Sequence, residues 1–284
     1  MSYVYTPLRY PGGKAKLTPF IKTVFEKNGL CDAHYVEPYA GGAGIGLSLL
    51  FTEYSRHIYL NDISYPLYCL WDTILNNTEY LTRRISNVRV TSSTWRRQKR
   101  ILKLPHEHAP WEVGFAFFFL NRTNRSGIVS GGMIGGNDQT GKWKIDARFG
   151  KPELIRRIEG IAEYRHRISI HNMDAMAFMQ MVTRKLPPKS LIYLDPPYYA
   201  KGSRLYTDYY RHDDHKRIAE YIQTVVTQPW IVTYDNIQEI ALLYSGRRSL
   251  TYDLNYSAST HRKGTELMLF CDSLRIPKDA TPGS

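Results

Sequence analysis

The chain has 284 residues, 43% of them hydrophobic, which supplies a packed core for roughly one to two domains and excludes a disordered chain. Lys and Arg outnumber Asp and Glu by 38 to 26, a net charge of +12. With no basic amphipathic helix in evidence, that surplus points to nucleic acid before membrane. Cys31, Cys69 and Cys271 are odd in number and far apart, which excludes a disulfide framework. No signal-like core opens the sequence and its longest apolar run, Gly114 to Leu120, is too short to span a bilayer, so a soluble cytoplasmic protein is expected.

In chain order, Leu8-Arg9-Tyr10-Pro11-Gly12-Gly13-Lys14 comes first. Its Pro-Gly-Gly turn lets backbone approach a ligand; Tyr10 offers a ring face and Lys14 a charge for a carboxylate. Leu17 to Lys27 has helical spacing. His34-Tyr35-Val36 then reads as a strand entering Glu37-Pro38-Tyr39-Ala40-Gly41-Gly42-Ala43-Gly44, with an apolar helix following through Leu50. Strand, glycine turn and helix N-terminus make a nucleotide-cofactor geometry. The glycine spacing fits neither the dinucleotide fingerprint nor a phosphate loop. A second strand, Arg56 to Asn61, ends at Asp62, 18 residues after Gly44 and therefore placed as a ribose-hydroxyl ligand.

From Pro66 to about Arg122 the pattern turns helical: Pro66–Leu75, Glu79–Ile85, Thr94–Leu104 and Trp111–Leu120, with Ser92-Ser93 read as an N-cap. Arg96, Arg97 and their neighbours Gln98, Lys99 and Arg100 crowd about two helical turns, which suits phosphate contacts. Asn121 to Gly150 predicts a glycine-rich hairpin or loop. It carries Arg122, Asn124, Arg125, Ser126, Lys142, Lys144 and Arg148, residue types that read phosphates and base edges.

The α/β alternation resumes with a helix over Ile155–Tyr164 and a strand, Arg167–Ile170, ending near Asp174. Ser190 to Leu194 is a short buried strand that stops at Asp195-Pro196-Pro197-Tyr198. Both residues before a proline are driven extended, and neither proline has an N–H. Carboxylate and bare carbonyl therefore gather beside an aromatic ring. Such a site suits a flat ring with an exocyclic amine: Asp195 and the Pro196 carbonyl accept from the amine, and Tyr198 stacks. Gly202 to Arg211 is a Tyr-rich loop that could close over a site, and Asp213-Asp214 cap a helix to Val226. Trp230–Tyr234, Ser249–Asn255 and Glu266–Cys271 complete seven strands. The last two flank a basic loop, Ser257 to Gly264, with Arg262 and Lys263 as further DNA contacts. His106 and His108 lack a third ligand, so no metal is expected, and the tail after Ile276 reads as disordered.

Tyr10-Pro11-Gly12-Gly13-Lys14, Glu37 to Gly44, Asp62, Asp174 and Asp195-Pro196-Pro197-Tyr198 occur in the order seen in Dam-like DNA adenine methyltransferases, which the chain resembles from about residue 8 to residue 271. The resemblance implies an α/β, Rossmann-like methyltransferase fold with S-adenosylmethionine as methyl donor. Its acceptor would be the N6 of an adenine flipped from double-stranded DNA. It implies Tyr10, Lys14, Asp62 and Asp195 as cofactor ligands beside the Glu37-Pro38-Tyr39-Ala40-Gly41-Gly42 turn, and Asp174 near the cofactor's adenine. Residues 1–65 and 151–276 would form the catalytic domain, 66–150 an inserted target-recognition subdomain, and 277–284 a tail. A monomer working beside the nucleoid is expected. Where Dam-like relatives continue from Asn-Arg with an aromatic, Asn-Gly-Leu and an Arg, this chain has Arg125, Ser126-Gly127-Ile128 and Ser130. The base-reading set differs, so GATC specificity is not carried over. The alternatives are another amino-group methyltransferase, acting on cytosine N4, rRNA or a protein glutamine, and a DNA-binding module without catalysis.

Overall fold

The computed structural model describes residues 5–9, 14–199, 210–255, 263–277 and 281–282. Its strands are β1 (Ala33–Glu37), β2 (Ser55–Asn61), β3 (Ile168–His171), β4 (Ser190–Leu194), β5 (Trp230–Asp235), β6 (Arg248–Asn255) and β7 (Lys263–Phe270). They form one seven-stranded sheet in the order β3-β2-β1-β4-β5-β7-β6. The first five strands are mutually parallel where they pair, and β7 is antiparallel to both β5 and β6. All five residues of β4 are buried, as a central parallel strand covered on both faces requires. Because β1 to β5 point one way, Glu37, Asp62, Asp195 and Asp235 end up along one edge. The antiparallel hairpin adds a residue from its own middle: pairing of Asp235 with Glu266 carries Glu266 to the same edge.

The helices are α1 (Thr18–Lys27), α2 (Gly44–Phe51), α3 (Tyr65–Asn76), α4 (Thr78–Asn87), α5 (Ser92–Ile101), α6 (Pro110–Thr123), α7 (Lys151–Glu163), α8 (Ala175–Val182), α9 (His212–Thr224) and α10 (Gln238–Leu243). The sequence reading passed over α8 and α10, both short. The signal for α8 is Asp174, whose Oδ1 accepts from the N–H groups of Met176 and Ala177 at 2.9 and 3.1 Å. The cap of α5 is Thr91, not Ser92-Ser93: its Oγ1 accepts from Thr94 N at 3.2 Å. Arg211 is the N-cap of α9, and Asp214, three positions in, completes a capping box by accepting from the Arg211 N–H at 2.9 Å, while Asp213 lies in the same first turn. A Cβ on Gly114 would stand 2.6 Å from the Cys69 carbonyl, so glycine there lets α6 settle directly on α3. Helix α5 packs on α6, and α7 packs on α3 and α4.

The expected hairpin between Asn121 and Gly150 is absent among the described residues. Asn121 and Arg122 belong to α6, and beyond it a single antiparallel bridge joins Asn124 to Met133. The Asn124 amide explains this. Its nitrogen donates to the carbonyls of Ile128 (2.8 Å), Val129 (2.9 Å) and Gly131 (3.2 Å), acceptors that a strand ladder would need. Buried Met133, Ile134, Ile145 and Phe149 peg the segment down, Phe149 against the rings of Phe118 and Phe119. The expected loop around Ser257 begins outside the described residues. Its last two positions, Lys263 and Gly264, already belong to β7. Tyr10 to Gly13, Arg262, residues 202–209 of the Tyr-rich loop and most of the tail also lie outside. Among the described residues no helix is long and apolar enough to cross a membrane.

Candidate active site

Asp195 follows the last residue of β4, and the pairing of Leu194 with Val232 sets Thr233 beside it. Thr233 Oγ1 donates to Asp195 Oδ1 at 2.8 Å. Lys14, from the turn entering α1, places Nζ 3.1 Å from the same oxygen and 2.9 Å from Glu266 Oε2. Among the described residues both contacts of the Asp195 carboxylate thus fall on Oδ1, while its side chain keeps 26% of its surface. Burial pushes the Asp195 pKa up; the Lys14 ammonium pulls it down and Glu266 pushes it up again, with a net rise. Among the described residues no donor is bonded to the Pro196 carbonyl, and Pro197 is half-buried. Tyr199 N–H donates to Asp235 Oδ1 at 3.1 Å, fastening the turn after the two prolines to the end of β5. Tyr198 is buried. Its hydroxyl donates to Glu266 Oε1 at 2.8 Å and accepts from Lys14 Nζ at 3.2 Å, and the ammonium stands 5.1 Å from its ring centre.

The glycine turn lies one strand away. Gly41 N–H donates to Asp62 Oδ2 and Ser64 N–H to Asp62 Oδ1, both at 3.0 Å. Trp71 on α3 donates to the Gly41 carbonyl at 3.2 Å. Glu37 is buried and accepts from Tyr35 OH and Gly46 N–H at 3.0 Å each, so it fastens β1 to α2. Burial lifts its carboxyl to about 8, against its hydrogen bonds. Pro38 and Asn61 join strand ends: Asn61 Nδ2 donates to the carbonyls of Pro38 and Met173 at 3.0 Å. Tyr39 donates to Tyr210 OH at 2.9 Å. Asp174 is exposed at the N-terminus of α8. A cleft lined by Ala40, Asp62, Tyr68, Trp71, Ile170 and His171 opens beside this turn, and Ile63 next to Asp62 is 51% exposed. The residues here have the chemistry a nucleoside site uses, an acid for ribose hydroxyls and aromatic and aliphatic surface for a purine. Two carboxylates against one ammonium at the Asp195 end fit a sulfonium cation.

On the helical side, Arg96, Arg97, Arg125, Lys142, Lys144 and Arg148 are exposed. Gln98 is not; it turns inward from α5. Asn124, expected among the DNA contacts, has no exposed surface, and its Oδ1 accepts from Trp95 Nε1 at 2.6 Å. It organises the loop from beneath, and the contact assignment is corrected accordingly. Arg122 is half-buried, donating to the Arg148 carbonyl at 2.8 Å. Burial first, then Arg9, Arg157 and Arg148, lowers its pKa to about 10. Ser126 is half-buried with a left-handed φ of 56°. Lys99 donates to the carbonyls of Ser130 and Gly131, tying α5 to the loop. Trp143, 61% exposed, has Lys142 Nζ and Arg148 Cζ at 5.8 and 6.0 Å from its ring centre.

Arg9 joins the two regions. Its backbone N–H donates to Asn121 Oδ1 at 2.9 Å and its carbonyl accepts from Asn121 Nδ2 at 2.8 Å. A Cβ on Gly127, at φ 78°, would lie 2.1 Å from the Arg9 carbonyl, so only glycine fits. Five residues after Arg9 comes Lys14, at the Asp195 carboxylate.

Over residues 10–258 the sequence matches the D12 class N6 adenine-specific DNA methyltransferase family. The chain belongs to that family. No curated relative matches it. The protein is therefore an adenine-N6 DNA methyltransferase, using S-adenosylmethionine and acting on a base turned out of the duplex. Three residues of this methyltransferase escaped the sequence reading: Glu266, Thr233 and Trp71. Glu266 had a legible signal, a lone carboxylate ahead of Leu267, Met268, Leu269 and Phe270, since a charge buried in an apolar strand needs a partner. Thr233 and Trp71 had none, because their partners come from other elements.

Proposed function

We propose that methyl transfer takes place at the carboxyl edge of β4, with Asp195 and the Pro196 carbonyl accepting the two N–H bonds of the adenine amine. The amine is a weak nucleophile because its lone pair is delocalised into the ring. Accepting both hydrogens draws the nitrogen toward a pyramidal form. Asp195 then stabilises positive charge as it builds on nitrogen, and its Oδ2 faces the proton the nitrogen must shed. The single observation behind this reading is that Thr233 and Lys14 hold Asp195 by Oδ1, while among the described residues nothing engages Oδ2 at a side chain still 26% exposed. S-adenosylmethionine, when bound, supplies an electrophilic methyl on a sulfonium. Asp62 would hold its ribose, Asp174 and Ile63 its adenine, and the turn from Glu37 to Gly42 the remainder, with Lys14 fixing Asp195 beside it. Tyr10 is a further ligand in this reading.

Tyr198 stacks on the extruded base in this reading, which offsets part of the few kcal/mol of unstacking. Its hydroxyl contacts fix the ring plane in advance. Residues 66–150 serve as the target-recognition subdomain, with Arg96, Arg97, Arg122, Arg125, Ser126, Lys142, Lys144 and Arg148 as DNA contacts, and Arg262 and Lys263 are assigned to DNA on their charge alone. Residues 1–65 and 151–276 are the catalytic domain. In this reading the free enzyme is a cytoplasmic monomer, and GATC specificity is not carried over because Arg125 and Ser130 depart from the Dam-like pattern.

Separation of function tests the assignment. Asp195→Ala is expected to lower methyl transfer by at least about 10²–10³-fold with DNA affinity retained. Asp62→Ala should instead weaken S-adenosylmethionine binding by about 1.5–3 kcal/mol in calorimetry, the worth of hydrogen bonds to a charged group. Equal loss of DNA binding and turnover in the first variant, or unchanged cofactor affinity in the second, would refute the respective role.

A further inference from the structure

Glu266 sits in β7, followed by Leu267, Met268, Leu269 and Phe270, and is 1% exposed. Among the described residues its carboxylate meets the Asp195–Tyr198 turn, Lys14 and the neighbouring strand β6. Oε1 accepts from Tyr198 OH at 2.8 Å and from Lys14 Nζ at 3.1 Å. Oε2 lies 2.9 Å from Lys14 Nζ and accepts from Tyr252 OH at 2.7 Å. Lys14 in turn reaches Asp195 Oδ1, and its side chain is only 4% exposed. One buried carboxylate outside the Asp-Pro-Pro-Tyr stretch therefore holds both working ends of that stretch: Asp195 through Lys14, and Tyr198 directly.

We propose that Glu266 is a positioning residue for the transfer, fixing the orientation of Asp195 through Lys14, fixing the Tyr198 ring through its hydroxyl, and setting the charge of the clamp. This rests on the role of Asp195 given above. Its geometric effect is to hold Asp195 Oδ1 against Lys14 and Thr233, which turns Oδ2 toward the amine. Its electrostatic effect follows from counting charges. With Asp195 ionised, two carboxylates face one ammonium among the described residues, and that negative balance favours a transition state in which positive charge grows on the amine nitrogen. A neutral, isosteric side chain would keep the shape and lose that balance.

The groups facing Asp195 are Lys14, Glu37 and Tyr35 from β1, Tyr193 from β4, Tyr252 from β6 and Glu266 from β7. Of these, Glu266 is the carboxylate that most opposes ionisation of Asp195. Glu266→Gln in the full chain is therefore expected to lower kcat roughly 10–100-fold, the usual effect of losing a partner that orients a functional group. KM for DNA should stay within about twofold, since no DNA contact is removed. The acid limb of the kcat–pH profile should move to lower pH, because a neighbouring negative charge has gone. A kcat within about twofold of the parent would overturn the proposal. So would an even loss at every pH, which marks a purely structural role. If Glu266→Gln fails to fold, Tyr252→Phe carries the test: it removes one donor to Oε2 and should cost about 3–10-fold in kcat at unchanged DNA affinity, and no loss overturns the idea. An active Glu266→Gln beside an inactive Asp195→Ala sinks this inference alone, whereas an active Asp195→Ala removes the reading beneath it.

Discussion

The Asp195 edge and the Asn124 loop are both built on buried polar side chains, but with opposite chemistry. At the edge, Lys14, Asp195 and Glu266 arrive from three distant parts of the chain and meet charge to charge. In the loop, Asn124 gathers backbone carbonyls from its own neighbourhood, and Lys99 and Arg122 likewise donate to carbonyls. Paired buried charges make a rigid site whose electrostatics are fixed before substrate arrives. Carbonyls satisfied by side chains shape a loop without neutralising it, so exposed Arg125, Lys142, Lys144 and Arg148 keep their charge for a polyanion. The edge brings opposite charges into contact, whereas the loop leaves its cations exposed.

Breaking the first region should have the largest effect on stability. Lys14→Met takes this cation away from buried Glu266 and half-buried Asp195 and is expected to cost about 3–5 kcal/mol by denaturant titration. A change below about 1 kcal/mol would mean the network is wetter than its geometry implies. Next comes Asn124→Ala, which strands carbonyls and the Trp95 N–H at once. About 1–3 kcal/mol is expected, with faster amide exchange over residues 125–145 and weaker DNA binding, although Asn124 touches no DNA.

Glu37 sharpens the contrast through pH. Its folded-state pKa of about 8 exceeds the ordinary 4.5, so its stabilising contribution is complete below 4.5 and is lost as pH rises through 8. His57 and His215, held down to about 4 chiefly by burial, act oppositely below their ordinary 6.5. Between pH 6.5 and 8 the parent should therefore lose stability with rising pH, and Glu37→Gln should flatten that slope in urea midpoints. The mildest change is Arg125→Ala. Stability should not move, while the salt dependence of DNA affinity should fall by about one in slope. An unchanged slope would remove Arg125 from the phosphate contacts.

The strands were legible because each is a short apolar run ended by a polar residue. β4 was read to the residue, and β1, β2 and β5 within one residue at either end, since burial on both faces leaves the run nothing else to be. The strand-end acids were legible for the same reason: a carboxylate at the close of an apolar run can only sit at an edge. For the Asn121–Gly150 stretch the sequence left hairpin and loop both open, because turn residues announce where a chain bends, not which side chains will take its carbonyls. Asn124 was misread as a reader of DNA because polar character is local, whereas burial belongs to the packed molecule. Glu266 was passed over because it stands 252 residues from Lys14.

By itself the sequence determined the alternation of strand and helix, the identity of the acids at strand ends and the cationic surplus, all set by hydrophobic period and by charge within a few residues. Only the tertiary structure decided which acid meets which cation, which oxygen of Asp195 is committed, and whether an asparagine faces DNA or the core. Those depend on sheet register and helix packing between remote segments, where a shift of one residue would bring different side chains together.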